Sequence, residues 1–144
     1  MAPTDNVIKK IESYIAQKGG RMTSVRREII ARMAALKESK TAYQILDAAN
    51  KHRKTKLSAI SVYRTLDFLI AAGVVLKIES KNAFELCLNH KSEHSHLMMV
   101  CDTCGNVQEV EDKALSKSLA KTAQKHGHKL RHNIIELHGV CRGC

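Results

Sequence analysis

At 144 residues, 44% of them hydrophobic, the chain has room for one ordinary domain or two small ones, each with a modest core. Its formal charge of +10 is uneven: residues 1–80 hold fifteen of the 24 Lys and Arg against seven Asp and Glu, or +8, and residues 81–144 hold nine against seven, or +2. No long apolar run marks a membrane span and MAPTDNVIKK lacks the apolar core of a secretory signal, so a cytoplasmic protein with no membrane partner is expected.

Residues 5–18 place Val7, Ile8, Ile11 and Ile15 on one helical stripe that ends at Gly19-Gly20. Thr23 or Ser24 can cap a second helix in which Val25, Ile29, Met33 and Leu36 face one way, with Arg26, Arg27 and Arg32 elsewhere. Thr41 and Gln44 have capping-box spacing for a third helix with Ile45, Leu46 and Ala49 apolar. After the basic linker KHRKTK, Ser58 can cap a fourth helix, residues 59–72, whose Val62, Leu66, Leu69 and Ile70 form a buried stripe and which closes at Gly73. Ser61, Tyr63, Arg64 and Thr65 then fall near its N-terminal end, off the core face. VVLKIES and AFELCL, separated by Lys81-Asn82, read as a hairpin.

Helices followed by a hairpin, in this order, make a winged helix-turn-helix, with the fourth helix entering the major groove of double-stranded DNA and the hairpin lying beside the phosphates. Arg64 suits bidentate recognition of guanine, and Tyr63 suits a thymine methyl or a phosphate. The basic first half agrees with a nucleic-acid partner, although a solvated lysine-rich surface has the same composition.

The second half has a different character. LMMVC and NVQEV read as two short strands joined by a D-T-C-G knuckle, residues 112–126 as a helix with Leu115 and Leu119 inward, and HKLRHNIIELHGVC as a returning strand or two. The fold class expected is α+β: an N-terminal winged-helix domain and a small C-terminal α/β domain whose strand edges a second copy would cover.

All five cysteines lie after residue 86, as do seven of the eight histidines. Cys101-x-x-Cys104 and Cys141-x-x-Cys144 have the two-pair arrangement of a closed structural zinc site, and a thioredoxin-like redox pair would leave the second C-x-x-C unexplained. Cys87 stands outside this quartet. It is either a buried core cysteine or, with His94 and Glu109, part of a mixed sulfur, nitrogen and oxygen site that binds zinc more reversibly. No H-E-x-x-H and no H-x-E paired with P-C-x-x-C is present, so neither an enzyme nor a small-molecule substrate is expected.

GGRMTSVRREII, AISVYRTLDFLIAAGVV and the C-x-x-C-G of CDTCG resemble the ferric uptake regulator family of metal-dependent bacterial repressors over nearly the whole chain. VYRTLDFL, IESKNAFELC and RHNIIELHGVC resemble its zinc-responsive members more than its iron, manganese or peroxide members. The resemblance implies a homodimer with a winged-helix DNA-binding domain at 1–83, a wing end and hinge at 84–92, and a zinc-binding dimerisation domain at 93–144. It implies one structural and at least one regulatory zinc ion per chain. By position, Cys87, His94 and Glu109 match three regulatory ligands, and Tyr43 and Arg64 match base-contacting positions. The usual fourth ligand, a histidine before the wing motif, is here Leu76, which cannot ligate; His96 and His90 are the nearest substitutes. A peripheral site would draw on His96, Glu111 and His132. The function implied is repression of zinc-uptake genes when zinc is bound, the alternatives being another metal-responsive member of the family or a zinc-stapled module with an acidic protein partner.

Overall fold

The computed structural model describes residues 3–36, 38–87, 95–130 and 134–144, and the chain divides into two compact units, residues 1–90 and 91–144. Among the described residues no helix is long and apolar enough to cross a membrane.

The first unit begins with α1 (Pro3–Gln17), which buries Ile11 and Ile15 completely and packs Val7 and Ile8 on the same core. The helix gives way to Gly19, whose φ of +77° is the left-handed conformation that suits glycine. Gly20 has a different reason to be glycine: a Cβ there would lie 2.7 Å from Ile15 Cγ2 and 3.3 Å from Phe68 Cζ. In α2 (Ser24–Leu36) Thr23 supplies the cap, its Oγ1 accepting from the Arg26 N–H at 3.2 Å. The buried face is Ile29, Ile30 and Met33; Val25 is only partly buried and Leu36 stays outside the core cluster. The Arg26 guanidinium lies over the Phe68 ring, 3.4 Å from its centroid.

The capping box of α3 (Ala42–Asn50) forms as expected: Thr41 Oγ1 accepts from the Gln44 N–H at 3.3 Å while the Thr41 N–H donates to Gln44 Oε1 at 2.9 Å. Ser58 caps α4 (Ala59–Ala71), accepting from the Ser61 N–H at 3.2 Å. This helix buries Val62, Thr65, Leu66 and Leu69, and Ile70 is partly covered. β2 (Val75–Ile78) and β3 (Ala83–Leu86) form the antiparallel hairpin with Val75 opposite Leu86. β2 ends earlier than the sequence suggested, because Glu79–Lys81 form a single 3-10 turn and Asn82, at φ 47°, reverses the chain. A two-residue strand, β1 (Lys40–Thr41), adds to the other edge of β3, giving the order β1-β3-β2.

The second unit is a three-stranded sheet of order β5-β4-β6. β4 (His96–Cys101) pairs antiparallel with β5 (Val107–Val110) and parallel with β6 (Ile134–Gly139). Between the outer strands runs α5 (Lys113–Lys125), capped by Asp112, whose Oδ1 accepts from the Leu115 N–H at 2.9 Å. The expectation that Leu115 and Leu119 point inward is not met: Leu115 is exposed, Leu119 half-buried, and no described side chain of α5 is fully buried. A single copy of a three-stranded sheet has too little surface to cover an amphipathic helix and its own two faces. Met99, Leu130, Leu137 and Val140 are left exposed in this unit as well.

Candidate metal centre and nucleic-acid interface

β4 ends at Cys101, whose N–H donates to the Asn106 carbonyl at 2.9 Å, and the turn that follows brings Cys104 back under it. Gly105 has φ +75° and donates its N–H to the Cys101 carbonyl at 2.9 Å, closing the knuckle. The parallel register sets Gly139 opposite Cys101, so the chain leaving β6 delivers Cys141 and Cys144 to the same end of the sheet. The four sulfurs lie within 4.8 Å of one another. Cys104 and Cys141 are 3.8 Å apart, Cys101 and Cys144 4.0 Å, and Cys141 and Cys144 3.5 Å.

Disulfides would require about 2.05 Å. Thiolates at about 2.3 Å from a tetrahedral ion lie about 3.8 Å from each other, which is the spacing observed. The Cys104 and Cys141 N–H groups approach Cys101 Sγ at 3.5 and 3.3 Å, and these two backbone contacts pull its pKa down to about 6. Cys144 is pushed the other way, to about 12, by hydrogen bonding with the Cys141 and Cys104 sulfurs. Four thiolates in so small a volume need a cation to compensate them, and a soft divalent metal matches this donor set.

Of the residues expected at a second site, His96 and Glu109 are in hydrogen-bond contact within the second unit, Nδ1 to Oε1 at 2.5 Å. The register explains why. Glu109 is opposite Met98, and His96 lies two residues before Met98, so all three share one face of the sheet. The pair joins an imidazole nitrogen and a carboxylate oxygen, both ordinary zinc donors. Cys87 belongs to the first unit, buried directly after β3, with its N–H donating to the Val74 carbonyl at 2.9 Å. Leu76 is buried in β2 and offers no donor atom. Glu111 is exposed just beyond β5. His90, His94 and His132 lie outside the described residues.

A further cluster escaped the sequence reading. His138 Nδ1 lies 2.9 Å from Asp102 Oδ1 and its Nε2 lies 3.2 Å from Glu136 Oε2, so the imidazole is gripped by two carboxylates. The Asp102 hydrogen bond, then that of Glu136, raises its pKa above the usual 6.5. The signal was present in β6 as the alternation Glu136-x-His138, which puts both side chains on one face.

On α4 the residues expected at DNA divide into two groups. Tyr63 and Arg64 face solvent, as does Tyr43 in the first turn of α3. Thr65 is corrected: it is only 6% exposed, turned to the core with Val62 and Leu69, and its hydroxyl donates to the Ser61 carbonyl at 2.9 Å. Positions 62, 65 and 69 follow the three- and four-residue spacing of a single helix face, which the hydroxyl joins by bonding back to its own helix. Ser61 is half-buried, its Oγ 3.0 Å from Ser58 Oγ. Ahead of this helix, Lys51, His52, Lys54 and Lys56 are exposed, whereas Arg53 is tied to Glu28 and to the Thr55 carbonyl.

The profile of the ferric uptake regulator family matches residues 17–138. The zinc uptake regulation protein of Escherichia coli strain K12 is 35% identical over 142 residues, covering 98% of this chain and 82% of that one. Among solved structures, a zinc uptake regulator complexed with zinc and DNA superposes with a TM-score of 0.87 at 34% identity, covering 100% of this chain and 96% of that one. Holo XcZur gives a TM-score of 0.81 at 31% identity, covering 97% of each chain.

Proposed function

The chain belongs to the ferric uptake regulator family, and from that premise we propose that it is a zinc-responsive transcriptional repressor that binds operator DNA as a homodimer and controls zinc-uptake genes in the cytoplasm. The observation that carries this reading is the likeness, over the whole chain, to a zinc uptake regulator complexed with zinc and DNA.

Cys101, Cys104, Cys141 and Cys144 are assigned to a structural zinc, supported by their sulfur spacing. A regulatory zinc is assigned to Cys87, His94 and Glu109 with His96 or His90 as the fourth ligand, and contact with Glu109 supports His96. Bound at these donors, zinc would supply the divalent charge that holds them together. Cys87 comes from the DNA-binding unit and Glu109 from the other, so shared ligation narrows the orientations that the two DNA-binding units of a dimer sample and favours the spacing of two half-sites. Linkage then makes DNA and zinc each tighten the other's binding by one factor. Arg64 and Tyr63, with Tyr43, are assigned to base edges and phosphates. The unburied Leu115, Met99 and Leu137 suit the face that a second copy covers.

The test is zinc titration of DNA binding by the full chain and its Cys87→Ser variant, with zinc counted by elemental analysis. The variant should keep one tightly held zinc per chain and lose zinc-dependent binding. Retention of the same zinc dependence would remove Cys87 from the site. Arg64→Ala should weaken specific binding by about 1–3 kcal/mol while zinc content is unchanged.

A further inference from the structure

The outward face of α4 carries a residue that packing does not explain. Ile60 is 64% exposed in the first turn of the helix. Ile60, Tyr63, Arg64 and Asp67 fall at i, i+3, i+4 and i+7 of one helical face, and all four are exposed, opposite the buried Val62, Thr65, Leu66 and Leu69. A first helical turn ordinarily favours acidic side chains, which complement the helix dipole, and a β-branched residue is a poor helix former. The first turn of α4 has no acid and presents an isoleucine to solvent.

We infer that Ile60 reads a thymine C5-methyl in the major groove, as a specificity residue beside Arg64. This rests on the proposal that α4 is the DNA-reading helix. Two neighbouring hydroxyls are already engaged: Thr65 donates to the Ser61 carbonyl, and Ser61 Oγ pairs with Ser58 Oγ. The side chains left to meet base edges from this part of α4 are therefore Ile60, Tyr63 and Arg64. Among the edges exposed in the major groove, the thymine methyl is the one that an aliphatic side chain complements. The setting favours DNA over an apolar protein partner, because Ile60 lies beside Arg64 and follows a loop in which Lys51, Lys54 and Lys56 are exposed. Recognition helices of this motif contact bases through their N-terminal residues, which is where Ile60 sits.

The experiment uses the zinc-loaded full chain and a site selected from random-sequence duplexes. Each thymine of one half-site is replaced in turn by deoxyuridine, which lacks only the methyl, and affinities are measured by fluorescence anisotropy for wild type and Ile60→Ala. Wild type should lose about fourfold at the thymine that Ile60 reads, the worth of one buried methyl. Ile60→Ala should bind the thymine and deoxyuridine duplexes equally at that position. A methyl sensitivity that survives Ile60→Ala at every position overturns the inference, as does unchanged affinity of Ile60→Ala for the selected site. Failure to select any sequence, or selection insensitive to Arg64→Ala, would instead sink the DNA-reading assignment of α4 on which the inference stands.

Discussion

The Asn50 side chain clasps the backbone of Leu57 on both of its polar groups, Nδ2 donating to the carbonyl at 3.0 Å and Oδ1 accepting from the N–H at 2.8 Å. One amide thus stands in for a pair of strand hydrogen bonds and closes the turn that launches α4. Both groups are partly buried, so removing the side chain leaves two polar backbone atoms without their partner. Asn50→Ala should lower unfolding stability by about 1–3 kcal/mol. Urea denaturation of the full chain checks this, and a change below about 0.5 kcal/mol, the level of an ordinary surface substitution, would mean the clasp is dispensable.

Removal of one quartet sulfur should abolish the structural site, because three thiolates hold a tetrahedral ion far less well than four. Cys104→Ser and Cys141→Ser should each lose the tightly held zinc seen by native mass spectrometry. Structural zinc sites contribute about 10–16 kcal/mol to folding. Amide exchange protection of β4 and β6 should therefore collapse, while α1 to α4, which have their own core of Ile11, Ile45, Leu66 and neighbours, stay protected.

His138 should make stability depend on pH in a definite direction. Its pKa is raised in the folded chain, first by Asp102 and then by Glu136. The stabilisation is therefore fully present below the unfolded value of 6.5 and is lost as pH rises through the raised folded value. The stability difference between wild type and His138→Gln, measured by denaturation, should be largest at mildly acid pH and shrink in alkali. A difference independent of pH would show that the ring's charge is not engaged.

Met99 and Leu137 are register neighbours on β4 and β6, both exposed in one chain. Placing a carboxylate between them should prevent a second copy from covering that face. Leu137→Asp should shift sedimentation from dimer to monomer at micromolar concentration and reduce binding to a two-half-site operator. An unchanged dimer would move the interface to another surface.

Much of the first unit was legible because its signals are local. Thr41 and Gln44 fix a helix start by their own side chains, and the stripe of Val62, Leu66 and Leu69 repeats often enough to define a face. Lys40 and Thr41 also form β1, which no periodicity can announce in two residues; Phe84 and Ala83 create that strand by pairing with it. The hydroxyl of Thr65 suggests an outward role, but its spacing from Val62 and Leu69 puts it on their buried face, where it bonds to its own helix. In the second unit the cysteine spacing revealed the quartet. It could not reveal that His96 meets Glu109, which depends on the antiparallel register. The inward leucines of α5 failed for another reason: helical phase identifies an apolar face but not the molecule that covers it.

The parallel pairing of β4 and β6 bears on which changes in length the second unit can absorb. Both strands run toward the quartet, Cys101 closing one and Cys141 following the other by a short step past Gly139. Had β6 run the opposite way, its six residues would have carried Cys141 about 20 Å from Cys101, at about 3.3 Å per residue. β5 has already brought the chain back to the starting end of β4, and the connection through α5 leaves from that end and returns to it. Extra residues in the turn after α5, around Gly127, should leave the quartet intact, whereas one extra residue within β6 would exchange its two faces and displace Cys141 by a strand step.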